Sequence, residues 1–136
     1  MNEDPDLGDL FWAVAKRLRH ASSAALEQWD ITPAQARALR VLAGLGEMRL
    51  NSLSEHLRIA PRSTTEVVDA LEERGLVERH PDPTDRRAIR VALTAHGADM
   101  VEQIGKARRV EAERSFGALD PDDRQHLARI LRALRD

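Results

Sequence analysis

The chain has 136 residues, 42% of them apolar and 32% charged, with no cysteine. That length suits one domain with one core, and the composition is that of a globular chain. Disulfides, thiolate metal sites and cysteine redox sensing are thereby excluded. No apolar run approaches the roughly 20 residues that span a bilayer, and the acidic opening (Asn2, Glu3, Asp4, Asp6) has the wrong sign for a secretory leader. A cytoplasmic protein without membrane contact is expected. The formal net charge is -2, but all 21 basic residues lie beyond residue 10 together with 19 of the 23 acids, so residues 11–136 sum to +2. Positive charge clusters locally at Arg86, Arg87 and Arg90, a distribution that can meet phosphates on an otherwise neutral surface.

Helical periodicity dominates the chain. Leu7, Leu10, Phe11, Val14, Leu18, Ala21 and Ala25 recur at mostly three- and four-residue steps and predict an amphipathic first helix. Thr32-Pro33-Ala34-Gln35 reads as a helix start with a hydroxyl cap, a first-turn proline and a glutamine three residues after the cap, while Ile31 is placed to staple onto Ala36. Ala38, Leu39, Leu42 and Leu45 form the expected buried stripe, and Gly44 and Gly46 end the helix. A short third helix is predicted from Leu50 to Leu57. Pro61 breaks the chain and opens a fourth helix that runs to about Arg74, stopped by Gly75. Leu76–Arg79 and Ile89–Leu93 read as strands around the turn Pro81-Asp82-Pro83-Thr84-Asp85. Thr94 caps a long helix to about Ser115, and Asp120-Pro121 starts a last one with Leu127, Ile130, Leu131 and Leu134 on its apolar face. The whole is mainly α with a small β-hairpin.

The fourth helix turns Thr64, Val67, Val68 and Leu71 to the core, so Arg62, Ser63, Thr65 and Glu66 occupy its outer N-terminal face. Arginine pairs bidentately with guanine, and short hydroxyls reach bases or phosphates. The hairpin tip then brings Asp85, Arg86, Arg87 and Arg90; a basic loop beside a groove-reading helix suits the adjacent minor groove. Asp85 is expected to support the wing by holding an arginine through a charged hydrogen bond.

At this point the sequence resembles a known family. Asp85-Arg86-Arg87-Ala88-Ile89-Arg90-Val91-Ala92-Leu93-Thr94 fits the pattern of the MarR family of winged helix regulators, D-x-R followed after five residues by L-T. Val67-Val68-Asp69-Ala70-Leu71-Glu72-Glu73-Arg74-Gly75-Leu76-Val77 resembles the family's recognition-helix end and first wing strand. The flanking helices fit in order and length, so the likeness covers nearly the whole chain. It implies a single domain: a winged helix-turn-helix over about 31–94, with N- and C-terminal dimerisation helices over about 1–30 and 95–136. It further implies a homodimer on a pseudo-palindromic operator in double-stranded DNA, with fourth helices in successive major grooves, Arg87 as the wing arginine and Arg86 its partner. A departure from the pattern is Ala60, where many relatives carry a capping serine or threonine.

The aromatics add independent support for a dimer: Phe11, Trp12, Trp29 and Phe116 all lie in the terminal segments. Many MarR-type regulators bind small aromatic or phenolic anions that release the DNA; Trp12, Arg17, His20 and Trp29 are the candidate lining here. Enzymatic readings find no support. His20, His56, His80, His96 and His126 are scattered without H-E-x-x-H spacing, Gly44-Leu45-Gly46 lacks the rest of a phosphate-binding loop, and no cofactor or metal is expected. The rival to a DNA-binding repressor is a winged helix used for protein–protein contact, which the near-neutral charge suits.

Overall fold

The computed structural model describes residues 6–136; Glu3 and Asp4 of the acidic opening lie outside the described residues. In chain order the elements are α1 (Leu7–Leu26), a 3-10 turn (Glu27–Trp29), α2 (Pro33–Leu45), β1 (Met48–Arg49), α3 (Leu50–Leu57), α4 (Pro61–Glu73), β2 (Val77–Pro81), β3 (Ile89–Leu93), α5 (Ala95–Phe116) and α6 (Pro121–Arg135). The fold is mainly α with a small antiparallel wing, as expected. Two compact units arise: the N-terminal segment up to Ala25 with Ala107–Asp136, and Leu26–Lys106.

The Leu26–Lys106 unit contains the core. Ala38, Leu39, Leu42, Leu53, Leu57, Val68, Leu71, Leu76 and Val91 are all buried in one cluster. Helix starts are set by side-chain caps where the sequence supplies them. Thr32 Oγ1 accepts from the Gln35 amide at 3.1 Å, and the Thr32 amide donates to Gln35 Oε1 at 3.2 Å, a complete capping box. Ile31 and Ala36 are both buried beside it. Thr94 caps α5 by accepting from the Gly97 amide at 3.0 Å, and Asp120 caps α6 by accepting from the Asp123 amide at 2.8 Å.

Three expectations are corrected. Leu45 is 63% exposed, because it is the last residue of α2 and the core-facing stripe ends at Leu42. The first wing strand is Val77–Pro81 rather than Leu76–Arg79, and Pro81 pairs with Ile89 at its end, where a missing N–H is tolerated. A third strand, β1, adds to the hairpin through Met48↔Val91 and Arg49↔Arg90, giving the order β1-β3-β2.

In the other unit, α5 and α6 are joined by an ion pair between Arg124 and Glu113 at 2.6 Å. None of its described residues is buried, whereas Leu7, Trp12, Val110, Ile130 and Leu134 are exposed. No helix among the described residues is long and apolar enough to cross a membrane.

Candidate nucleic-acid interface

The position of α4 is set from its buried side. Thr64 is wholly buried; its hydroxyl accepts from Ser54 Oγ of α3 at 2.9 Å and donates to the Ala60 carbonyl at 3.2 Å. Val68 and Leu71 carry the same face into the core. A polar contact inside an apolar interface has few satisfied geometries, so the hydroxyl pair fixes the register of α4 on α3. The N-cap of α4 is Ala60, with no side-chain cap, and Pro61 fixes the first turn. Outward from this anchored face, Arg62, Ser63 and Glu66 are exposed with no side-chain partner among the described residues. Thr65 is half-buried, and its hydroxyl donates back to the Pro61 carbonyl at 3.0 Å.

The wing is organised around Asp82, a residue of the turn between its two strands. Its side chain is 1% exposed and receives Arg49 Nε at 2.9 Å and Arg90 Nη1 at 3.2 Å. The other carboxylate oxygen accepts from the Thr84 amide, the Thr84 hydroxyl and the Asp85 amide at 2.8 to 3.0 Å. The bond from Arg49 holds the Asp82 carboxyl far below the usual carboxylate range, with Thr84 next in weight and burial opposing. The same bond raises Arg49 above its ordinary value. One carboxylate therefore ties β1, the wing turn and β3 together.

Arg90, expected at the DNA, is bound to Asp82 and to Glu47, whose carbonyl it also meets at 3.2 Å. Asp85, expected to hold a guanidinium, accepts instead from the backbone amide of Arg87 at 3.0 Å and so shapes the tip. The signal for Asp82 was present in the sequence: an aspartate before Pro-Thr-Asp readily closes an Asx turn. At the foot of the wing an open cleft of about 320 Å³ is lined by Arg49, Asn51, Asp85 and Arg87 among others.

The arginines of this unit thus divide by partner. Arg37 donates to the Leu57 carbonyl, Arg74 to the Trp29 and Asp30 carbonyls, Arg79 to Asp69 and Glu72, and Arg49 and Arg90 to Asp82. Arg40, Arg58, Arg62, Arg86 and Arg87 are exposed, with no side-chain partner among the described residues. Cations left free in this way keep their full capacity for an external anion. Of the candidate ligand residues, Trp12, Arg17 and His20 are exposed on α1, and Trp12 meets Phe11 edge-on at 5.6 Å; Trp29 packs against the core of the Leu26–Lys106 unit. Among the described residues no group of three or more His, Asp or Glu side chains is placed to hold a metal ion.

Two short helices with the second anchored from behind, followed by a hairpin with free arginines at its tip, define a winged helix-turn-helix protein of the DNA-binding regulator class. A model of the MarR family matches residues 31–89. The uncharacterized HTH-type transcriptional regulator YsmB of Bacillus subtilis is 34% identical over an alignment of 98 residues that covers 67% of this chain and 67% of YsmB. The HTH-type transcriptional repressor MdtR of the same organism is 25% identical over 87% of this chain and 76% of its own. The crystal structure of wild-type MarR from E. coli, in its apo form, superposes with a TM-score of 0.89 at 28% identity, covering 98% of both chains. The chain belongs to the MarR family and is a DNA-binding transcriptional regulator, not an enzyme.

Proposed function

We propose that the protein is a homodimeric repressor that occludes a promoter by binding a pseudo-palindromic operator, with α4 in the major groove and the wing in the minor groove. The residues assigned to DNA are Arg62, Ser63, Thr65 and Glu66 on α4 and Arg86 and Arg87 on the wing; Arg90 contributes by bracing the wing. The observation that carries this reading is the division of the arginines: those at the start of α4 and at the wing tip are free while their neighbours are bound within the fold. Repression is supported by the names of two relatives, MdtR and the repressor IacR of Pseudomonas putida. Dimerisation over about 1–30 and 95–136 is supported by the apolar exposure of the terminal helices. Two-fold symmetry sets the half-sites about one helical turn, roughly 10 base pairs, apart. Release by a small aromatic or phenolic anion, lined by Trp12, Arg17, His20 and Trp29, belongs to the same proposal, as does a cytoplasmic location beside the operator.

Duplex binding followed by fluorescence anisotropy across a salt series tests the wing assignment. Each phosphate contact adds about 0.9 to the slope of log affinity against log salt, so Arg86→Ala with Arg87→Ala lowers that slope by up to about 2. A wild-type affinity indifferent to salt, or an unchanged slope in the double variant, contradicts the assignment and favours a protein-contact module.

A further inference from the structure

The backbone ends α3 in an unusual way. Arg58, its C-cap, has φ 55 and ψ 42, and its amide donates to the Glu55 carbonyl at 3.2 Å. Glycine is the ordinary residue in such a left-handed helix end, since a Cβ there crowds the backbone. The chain follows that rule after α4, where Gly75 has φ 72. The other non-glycine residue of positive φ among the described residues is Asp30, a type that tolerates this conformation far better than arginine does. The left-handed turn itself serves the fold, because it lets the Ile59 amide donate to the Ser54 carbonyl at 3.3 Å and close the helix, but it needs no arginine: the Arg58 side chain is exposed and without a partner among the described residues. An arginine that carries this strain where glycine would close the same cap points to a side chain kept for function.

Its place in the chain indicates which function. Arg58 lies in the turn joining α3 to α4, three residues before Pro61, so its Cα is at most about 11 Å from the first residue of α4. It shares its unpartnered state with Arg62, Arg86 and Arg87, and with Arg40 of α2; unlike Arg40, it adjoins the start of α4. We propose that Arg58 is a further DNA-contacting residue, one that meets a backbone phosphate beside the groove entered by α4. The inference rests on the proposed docking of α4. A phosphate contact carries affinity and salt dependence but no base preference, because every sequence presents the same anion.

The test separates the backbone from the charge. Arg58→Gly relieves the left-handed strain and removes the guanidinium, whereas Arg58→Lys keeps both strain and charge. Thermal melts and anisotropy on one duplex at about 50 and 200 mM salt are measured for both. The Gly variant is expected to melt above the wild type, to bind DNA more weakly, and to lose about 1 from the salt slope. Its deficit relative to wild type then shrinks about fourfold between those two salt concentrations. The Lys variant keeps the wild-type slope. A Gly variant with wild-type affinity and slope overturns the role of Arg58 while leaving the docking of α4 intact. A wild-type chain that binds no duplex overturns both.

Discussion

At Gly97, α5 passes so close to the turn after α4 that a Cβ would stand 1.9 Å from the Leu76 carbonyl oxygen and 3.1 Å from Leu93 Cδ2. The obstacle is backbone, and it is fixed from a second side because the same carbonyl accepts from the Thr94 amide at 3.1 Å. Gly97→Ala therefore forces the start of α5 away from the wing strands and is expected to cost about 1–3 kcal/mol of stability, the usual range for overpacking. Gly44→Ala is the matched control. Nothing lies within 4 Å of its Cβ position, and alanine is the better helix former, so that variant is expected to be neutral or more stable by up to about 1 kcal/mol. Thermal melts decide; equal melting temperatures for the two variants contradict the close approach. No periodicity in the sequence marks Gly97, because its constraint comes from a carbonyl 21 positions away rather than from its neighbours.

At the scale of elements, the wing depends on Asp82. Its carboxylate meets Arg49 of β1 and Arg90 of β3 and closes the turn through Thr84 and Asp85, so the arginines at the tip stand on a braced platform. Asp82→Asn is expected to keep the fold, loosen the wing and weaken duplex binding several-fold, with little change in salt slope, since no phosphate contact is removed. The carboxyl is held below its ordinary value, so the stability it adds is complete above about pH 4 and declines as the pH falls further. The stability gap between wild type and Asp82→Asn, measured by denaturant melts, is accordingly expected to be smaller at about pH 3 than at pH 7. A gap that stays constant or widens on acidification contradicts the ion-pair account.

These elements also show what was legible beforehand. The Thr32–Gln35 cap, α3 from Leu50 to Leu57 and β3 from Ile89 to Leu93 were readable because each is set by local chemistry: a cap, a stripe, an alternation. The outer face of α4 was readable from the helical spacing of its buried partners Thr64, Val68 and Leu71. β1 was not, since two residues carry no period and its pairing with Val91 and Arg90 is nonlocal. For the same reason the sequence could count the arginines of the wing but could not tell the bonded Arg90 from the unpartnered Arg86 and Arg87. The bracing partner Asp82 lies eight residues before Arg90 and 33 after Arg49, a separation no local motif encodes.

For the molecule as a whole, the two units differ in what they bury. The Leu26–Lys106 unit has a continuous core and can account for its own stability. The unit formed by the termini has no buried residue among those described, with Leu7 83%, Leu134 73% and Trp12 64% exposed. Helices of this length gain most of their stability from packing an apolar face, so this surface calls for a partner, and a second copy of the chain is the partner proposed above. In that proposed dimer, two copies of α4 related by a two-fold axis would read the same half-site in inverted order. Selection of random duplexes on the purified protein, with the mass of the resulting complex measured by light scattering, joins both halves of this claim in one experiment. Enrichment of an inverted repeat, with half-sites about 10 base pairs apart and two chains per duplex, is the expected result. Recovery of no preferred sequence, or of a single half-site bound by one chain, would contradict it.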